Sequence, residues 1–160
     1  MSNSARTRPR GCFMALGQVT AWVLVLVWMG VIAYLSHQPV YESNELSSAV
    51  AAVAIRAVAE VVPEATVVVN PSLMNHIVRK GAHVVAYMVL GFLVLNAQYA
   101  SGAVGVKSLA ATMLICVLFA ASDEWHQTFV PGRGGQMSDV LLDSVGAVVG
   151  IVLRKVTASC

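Results

Sequence analysis

Long apolar runs alternate with short polar segments along this chain. The first run, 13–35, contains no charged residue and exceeds the roughly 20 residues that an α-helix needs to cross a bilayer. Three further apolar runs follow, and each continues into polar sequence. The pattern predicts an all-α integral membrane bundle of four transmembrane helices, at 13–35, 76–99, 106–130 and 138–154.

The segment between the first two predicted spans, 36–75, carries a different pattern. Its apolar residues recur on one helix face: Leu46, Val50, Val53, Ala57 and Val61. Pro63 ends the repeat. An extracytoplasmic amphipathic helix is therefore predicted over 42–64, lying on the membrane surface or capping the bundle. The alternative is a weakly ordered, alanine-rich loop.

Turn-forming residues mark the other boundaries. Asn70 and Pro71 form a helix start, with asparagine as the cap and proline at the first helical position. Ser101-Gly102 marks a tight turn, and Pro131-Gly132 stops the third helix. A short loop, 131–137, therefore joins the third and fourth helices.

Composition supports a single membrane domain. Of the 160 residues, 58% are hydrophobic and 11% are charged, whereas a soluble domain carries about 25% charged residues. The three cysteines form no CxxC motif and no pairable set, so a disulfide scaffold or a zinc site of that type is not predicted.

Charge is distributed unevenly across the predicted membrane. Six bases and no acids lie on one side: Arg6, Arg8, Arg10, Lys107, Arg154 and Lys155. All the acids lie on or next to the other side. Because positively charged segments stay in the cytoplasm, the termini, 1–12 and 155–160, are predicted to be cytoplasmic. The loops 36–75 and 131–137 then face outward.

The second helix carries a polar stripe at its outer end. Two overlapping sets follow one face: Arg79, His83 and Tyr87, and His76, Lys80, His83 and Tyr87. Arg79, Lys80 and Tyr87 are each typical of interfacial anchors. His83 lies one turn inside the apolar boundary, so a functional role and a structural role both stay open.

The end of the third helix holds a second polar cluster, formed by Asp123, Glu124, His126 and Gln127. A helix brings Asp123, His126 and Gln127 to one face. Two acids and a histidine could hold a metal ion, relay protons or grip a cationic group. The alternative is a solvated helix end, although the macrodipole disfavours acids there.

The loop that follows reads Pro131-Gly132-Arg133-Gly134-Gly135. Glycines on both sides of Arg133 let the backbone and the guanidinium approach an anion closely. No Walker lysine pattern is present, so a nucleotide loop is not predicted. The alternative is a flexible turn in which Arg133 pairs with Asp139 or Asp123.

One stripe of the fourth helix holds Asp139, Asp143, Gly146 and Gly150. Asp143 lies about 6 Å deeper than Asp139, and too few apolar residues follow it to span a bilayer alone. An unpaired acid near mid-membrane costs about 3 kcal/mol. Asp143 is therefore predicted to be buried against the second or third helix, near His83 or Tyr87. Gly146 and Gly150 permit close helix contact on that face.

The polar residues combine into four motifs: Lys80-x-x-His83-x-x-x-Tyr87, Asp123-Glu124-x-His126-Gln127, Pro131-Gly132-Arg133 and Asp139-x-x-x-Asp143-x-x-Gly146. Together they resemble the VanZ-like family over about 75–153. Asp143 departs from the pattern, since the family more often has asparagine there. The resemblance implies a multi-pass protein of the bacterial cytoplasmic membrane, linked to teicoplanin resistance, and it implies no particular reaction.

Three classes of function are compatible with these residues. The leading hypothesis is an outward-facing pocket that binds a cell-wall precursor, a lipid head group or a glycopeptide. The alternatives are a membrane hydrolase or transferase acting on an envelope lipid, and a small ion-coupled transporter. The candidate site residues are Arg79, Lys80, His83, Tyr87, Asp123, Glu124, His126, Gln127, Arg133, Asp139 and Asp143.

Cofactors and partners are weakly constrained by the sequence. No cofactor is required, and the His–acid cluster leaves a divalent metal open. The expected partners are the lipid bilayer and an envelope lipid or cell-wall precursor. The sequence contains no evident nucleic-acid-binding signature. The bases on the predicted cytoplasmic side suit anionic lipid better. The oligomeric state is left open.

Overall fold

The computed structural model of the chain describes residues 10–39, 45, 47–50, 52, 53, 56 and 71–158. Four long helices make up this part: α1 (Arg10–His37), α2 (Pro71–Ala100), α3 (Val106–Gln127) and α4 (Met137–Ala158). No strand occurs among the described residues. The predicted all-α class is confirmed for this part of the chain.

Three of these helices contain a stretch that is long and apolar enough to cross a membrane. The stretches are Gly17–His37, Leu73–Ala100 and Val106–Gln127. The fourth helix, α4, has a similar length but carries four charged side chains, Asp139, Asp143, Arg154 and Lys155. Length and composition therefore support three crossings, and the fourth crossing stays a prediction.

Two predicted segments lie wholly or largely outside the described residues. The first is 1–9, which carries Arg6 and Arg8. The second is the amphipathic helix at 42–64, of which residues 45, 47–50, 52, 53 and 56 are described and each is helical. The rest of that helix is outside the part that the structure describes.

Local turn chemistry sets the ends of α2 and α3. Gly102 and Gly105 have φ values of +79° and +85°, a region that glycine adopts without steric cost. The α3 helix ends at Gln127, ahead of the predicted 130. The backbone N–H groups of 128–130 donate to carbonyl oxygens three residues earlier, at 3.0–3.2 Å. This is the 3₁₀ pattern, which ends the α-helix.

The closest helix pair is α2 and α4, which run parallel. A Cβ added at Gly146 or Gly150 would collide with backbone carbonyls of α2, those of Val84 and Met88. A Cβ at Gly91 of α2 would collide with the Ala147 carbonyl. Absent side chains thus let the two backbones touch, as in small-residue helix pairs of membranes.

Polar links tie the same two helices together at both ends. Lys80 pairs with Asp139 near their N-terminal ends. Near their C-terminal ends the Arg154 Nε donates to Asn96 Oδ1 at 2.9 Å, and its guanidinium lies over the Tyr99 ring, 5.1 Å from the centroid. The α4 helix therefore stays beside α2 along most of its length.

Two indole groups donate hydrogen bonds from α1 to α2 and to the turn that follows it. Trp28 Nε1 donates to the Ala86 carbonyl at 2.9 Å, and Trp22 Nε1 donates to Ser101 Oγ at 3.0 Å. The core between the helices is filled mainly by buried aliphatic and aromatic side chains, including Val25, Tyr87, Leu90, Val94 and Ala120. Aromatic N–H groups satisfied within the bundle are a common way to dock a helix in lipid.

The substitution Gly150→Ala tests the backbone contact of α2 and α4. Overpacking costs about 1–3 kcal/mol, so the midpoint of thermal unfolding in mild detergent should fall. The matched control is Gly30→Ala on α1, where the added methyl group meets nothing within 4 Å. Alanine is the better helix former by up to about 1 kcal/mol, so this control should hold or raise the midpoint. Equal midpoints for the two variants would contradict the packing described here.

Candidate functional site

A polar cavity of about 200 Å³ lies where the N-terminal halves of α2 and α4 meet the C-terminal end of α3. Its bases are Arg79, Lys80, His83 and Arg133, joined by His76. Its acids are Glu124, Asp139 and Asp143. The loop 131–136 closes one side through Gly132, Gly134 and Gln136. The cavity therefore mixes both signs of charge at one end of the bundle.

The α2 helix contributes the bases and α4 contributes two of the acids. Lys80 and Asp139 form an ion pair across the two helices, each about a quarter exposed. That pair neutralises one base and one acid of the cavity. Exposed pairs contribute little to stability, so its main effect here is to fix the positions of the two side chains.

Asp143 lies one turn deeper and is 1% exposed. Its predicted burial is confirmed, and Oδ2 lies 3.8 Å from His83 Nδ1. Neither carboxylate oxygen has a hydrogen-bond partner among the described residues. A buried acid without donors is costly, and the nearby imidazole is the group that offsets this cost.

At the end of α3, the two adjacent acids point to different neighbours. Asp123 Oδ2 accepts from Ser36 Oγ of α1 at 2.8 Å. Glu124 Oε2 accepts from the backbone N–H of Gln136 at 2.9 Å. Gln127 Nε2 donates to both acids, at 3.2 and 3.3 Å. Asp123 therefore secures α1, whereas Glu124 secures the loop that carries Arg133.

That loop approaches α3 very closely. A Cβ at Gly135 would collide with the Glu124 carbonyl, and Gly132 has a φ of +77°. Both positions therefore suit glycine. Together with the Glu124 bond to Gln136, they hold the loop so that Arg133 lines the cavity.

Arg79 and Arg133 are neighbours in this cavity. Neither forms an ion pair with an acid in the described part of the chain, and Arg133 Nε is buried without a hydrogen-bond partner. Burial, and then the neighbouring Arg79 guanidinium, lower the pKa of Arg133 from its ordinary value. Two guanidinium groups thus share a cavity, and neither is paired with a carboxylate of the described residues.

The VanZ/LLP1 family model matches residues 21–157, nearly the whole chain. The chain belongs to the VanZ/LLP1 family. No curated protein and no solved structure matches it. Membership is consistent with the three membrane-length helices, and it suggests a membrane protein linked to glycopeptide resistance.

The structure does not bring every candidate residue of this VanZ/LLP1 protein to the cavity. His126 is exposed, and its Nε2 lies 3.1 Å from Nδ1 of His37 on α1. Asp123 faces Ser36 and does not line the cavity. His126 lies on the α1 side of α3 like Asp123, but it is exposed there beside His37 and does not line the cavity.

The residues around Arg133 and Tyr87 differ from those that the sequence suggests. Arg133 pairs with neither Asp139 nor Asp123. Lys80 forms the ion pair with Asp139. Asp123 accepts hydrogen bonds from Ser36 and Gln127. Tyr87 is fully buried beside Phe119, with ring centroids 6.1 Å apart, and its hydroxyl has no partner among the described residues. It lies below the cavity and does not line it.

Sequence reasoning missed two residues that position the site, Ser36 and Gln136. Ser36 carries no motif, and its contact crosses 87 positions of sequence. Gln136 acts through its backbone N–H, which no side-chain pattern reveals. The glycines just before Gln136 were the available signal, because they predict a close backbone approach.

The hypothesis of a metal site requires several ligating side chains close together. Within the described residues, no three His, Cys, Asp or Glu side chains are grouped closely enough to hold a metal ion. The cavity of this VanZ/LLP1 protein is instead characterised by arginines, one lysine and acids that are partly paired with them. Its chemistry favours recognition of an anion by charge and hydrogen bonds.

Proposed function

We propose that this VanZ/LLP1 protein crosses the bacterial cytoplasmic membrane four times and binds the anionic group of an envelope molecule in an outward-facing cavity. The envelope molecule is a cell-wall precursor or a lipid head group. Both termini are cytoplasmic in this proposal. The observation that carries it is the pair of neighbouring arginines, Arg79 and Arg133, without a paired carboxylate in the described chain.

The fourth crossing is supported by the register of α4 against α2. The residue numbers of contacting pairs increase together along the two helices, from Lys80 with Asp139 to Asn96 with Arg154. The α2 stretch between these contacts belongs to a membrane-length apolar segment. A helix that runs parallel to it over the same depth must cross the same layer. The acids of α4 can be tolerated there because they face α2 and α3.

The orientation is supported by the charges at the two ends of the bundle. Lys107, Arg154 and Lys155 lie at the end where α2 finishes and α3 begins. All described acids of α3 and α4 lie toward the other end. Under the positive-inside rule, the cavity then opens on the outer side, where cell-wall precursors and outer-leaflet head groups are found.

Recognition of an anion is supported by the electrostatics of the cavity. Two guanidinium groups repel each other, and burial makes the repulsion stronger because water screens it less. A phosphate or carboxylate group between them would relieve it and would accept bidentate hydrogen bonds. Lys80 is already paired with Asp139, so Arg79 and Arg133 are the permanently charged bases of the cavity that form no ion pair among the described residues.

Cysteine labelling in whole cells tests the topology. In a background without Cys12, Cys116 and Cys160, a membrane-impermeant maleimide should label Gly134→Cys in intact cells. The matched variants Val104→Cys and Ala158→Cys, both at exposed positions, should react only after the membrane is opened. Labelling of Ala158→Cys in intact cells would contradict the fourth crossing.

Calorimetric titration of the full chain in neutral-lipid nanodiscs with glycerol 3-phosphate tests the anion site. Losing charge-assisted hydrogen bonds costs about 1.5–3 kcal/mol each, so Arg79→Gln and Arg133→Gln should each weaken binding about tenfold or more. Lys107→Gln removes one positive charge at the opposite end and should change the affinity less than about twofold. Equal affinity in all variants would refute the site.

A second candidate, a phosphoester hydrolase or transferase, is favoured by one observation. His83 lies beside the buried Asp143, and both line the cavity. In this hypothesis the His83 imidazole takes a proton from the attacking water or hydroxyl, and Asp143 stabilises the imidazolium that forms. The oxygen of that water or hydroxyl bonds to phosphorus, the bond from phosphorus to the leaving oxygen breaks, and the imidazolium gives its proton to the leaving oxygen.

Release of inorganic phosphate from a lipid phosphomonoester in detergent micelles tests this second candidate. His83→Asn should lower the rate about a hundredfold or more, and Asp143→Asn should lower it less. The exposed His126 gives a matched control, since His126→Asn should leave the rate unchanged. No phosphate release by the wild-type protein from such a lipid, or equal rates in all variants, would count against catalysis.

A further inference from the structure

An apolar groove runs between α1 and α2, and Val50 from the segment that joins these helices lines it as well. Its upper part, about 230 Å³, is lined by aliphatic side chains such as Ile32, Leu35 and Val78. Its lower part, about 440 Å³, shares those three residues and extends past Trp28 to Val89. The two parts are therefore one continuous channel along the helices.

Small residues keep this groove open. Gly81, Ala82 and Ala86 of α2 face it, and a Cβ at Gly81 would meet nothing within 4 Å. The α2–α4 contact uses small residues in the opposite way, with backbones touching. Along α1 the helices are held apart instead, and the Trp28 indole bridges the gap to the Ala86 carbonyl.

The upper end of the groove opens at the polar cavity. Arg79, His83 and Arg133 line the upper part of the groove as well as the cavity. The two arginines, which form no ion pair in the part of the chain that the structure describes, are therefore at the mouth of an apolar channel. A single ligand could contact them with an anionic group and place a hydrocarbon chain between α1 and α2.

We infer that the ligand is an outer-leaflet lipid with a phosphate-bearing head group, one chain of which lies in the α1–α2 groove. This inference rests on the anion site proposed above and adds the ligand class and its route of entry. In this inference the lipid enters sideways from the bilayer, between α1 and α2, which are both long and apolar enough to cross a membrane. Its phosphate then meets Arg79 and Arg133.

The length of the groove agrees with this ligand. It extends along α2 from Val78 to Val89, which is about 16 Å at 1.5 Å per residue. That is about half of the roughly 30 Å hydrocarbon core, the depth that the chains of one leaflet fill. A soluble sugar phosphate or a peptide would leave this apolar length unused.

Lipid titration of the full chain in neutral-lipid nanodiscs tests the inference, with phosphatidic acid as the amphiphilic probe and glycerol 3-phosphate as its soluble counterpart. Ala82→Leu fills the groove at a position that does not itself line the polar cavity. It should weaken binding of phosphatidic acid about tenfold, because several methylene groups lose their contacts. Binding of glycerol 3-phosphate should not change. The matched control Ala110→Leu lies at an exposed position of α3 and should affect neither probe.

The outcomes separate the two proposals. If Ala82→Leu leaves both affinities unchanged while Arg79→Gln weakens both, the lipid inference is wrong and the anion site stands. If neither probe responds to Arg79→Gln or Arg133→Gln, the anion site and the lipid inference both fail. Diacylglycerol, which lacks the phosphate, should bind at least about tenfold more weakly than phosphatidic acid. Equal binding would also overturn the inference.

Fluorescence gives a readout that does not depend on the stability of the groove variant. With Trp22→Phe and Trp125→Phe, Trp28 in the lower groove is the remaining indole. A trace of phosphatidic acid brominated along its chain should quench Trp28, and unbrominated phosphatidic acid should relieve the quenching. Phosphatidylcholine brominated at the same positions and fraction is the control. Equal quenching by both brominated lipids would refute specific occupation of the groove.

Discussion

The structure depends on how α4 packs its acidic side chains against the neighbouring helices. A buried carboxylate is costly without a partner, and Asp143, one turn inside the polar end of α4, is 1% exposed. The stripe that holds this acid also holds Gly146 and Gly150, so the face that must be hidden is the face that can approach α2 most closely. Desolvation and packing thus select the same orientation of the helix.

The candidate site follows from that pairing. A parallel α2–α4 pair brings the basic end of α2 beside the acidic end of α4, so the Lys80–Asp139 and His83–Asp143 contacts form together. The loop 131–136 is then drawn to the same place, because Glu124 binds its backbone at Gln136. Arg133 reaches the cavity as a consequence of where the loop is held.

Much of this arrangement could be predicted from the sequence, and the limits have physical causes. Helix positions and the inward face of Asp143 follow from periodicity and the cost of burying charge. Periodicity specifies a face of a helix but not the neighbour that the face meets. The pattern therefore predicts His126 in the cavity although it lies outside, and it leaves open an Arg133 pairing with Asp139 or Asp123 that the structure does not contain. The docking of α1 depends on Ser36, a single hydroxyl without any pattern.

The distribution of charge in the cavity limits what it can select. Its lining has three permanent bases, Arg79, Lys80 and Arg133, and three acids, Glu124, Asp139 and Asp143. With equal numbers, a simple anion gains little from the total charge. Selectivity must come from arrangement, because Lys80 is paired with Asp139 whereas the two arginines form no ion pair among the described residues. A head group that combines a phosphate with hydroxyl or amine donors would meet the arginines and also Asp143, whose oxygens have no hydrogen-bond partner among the described residues, whereas a bare phosphate would meet the arginines alone.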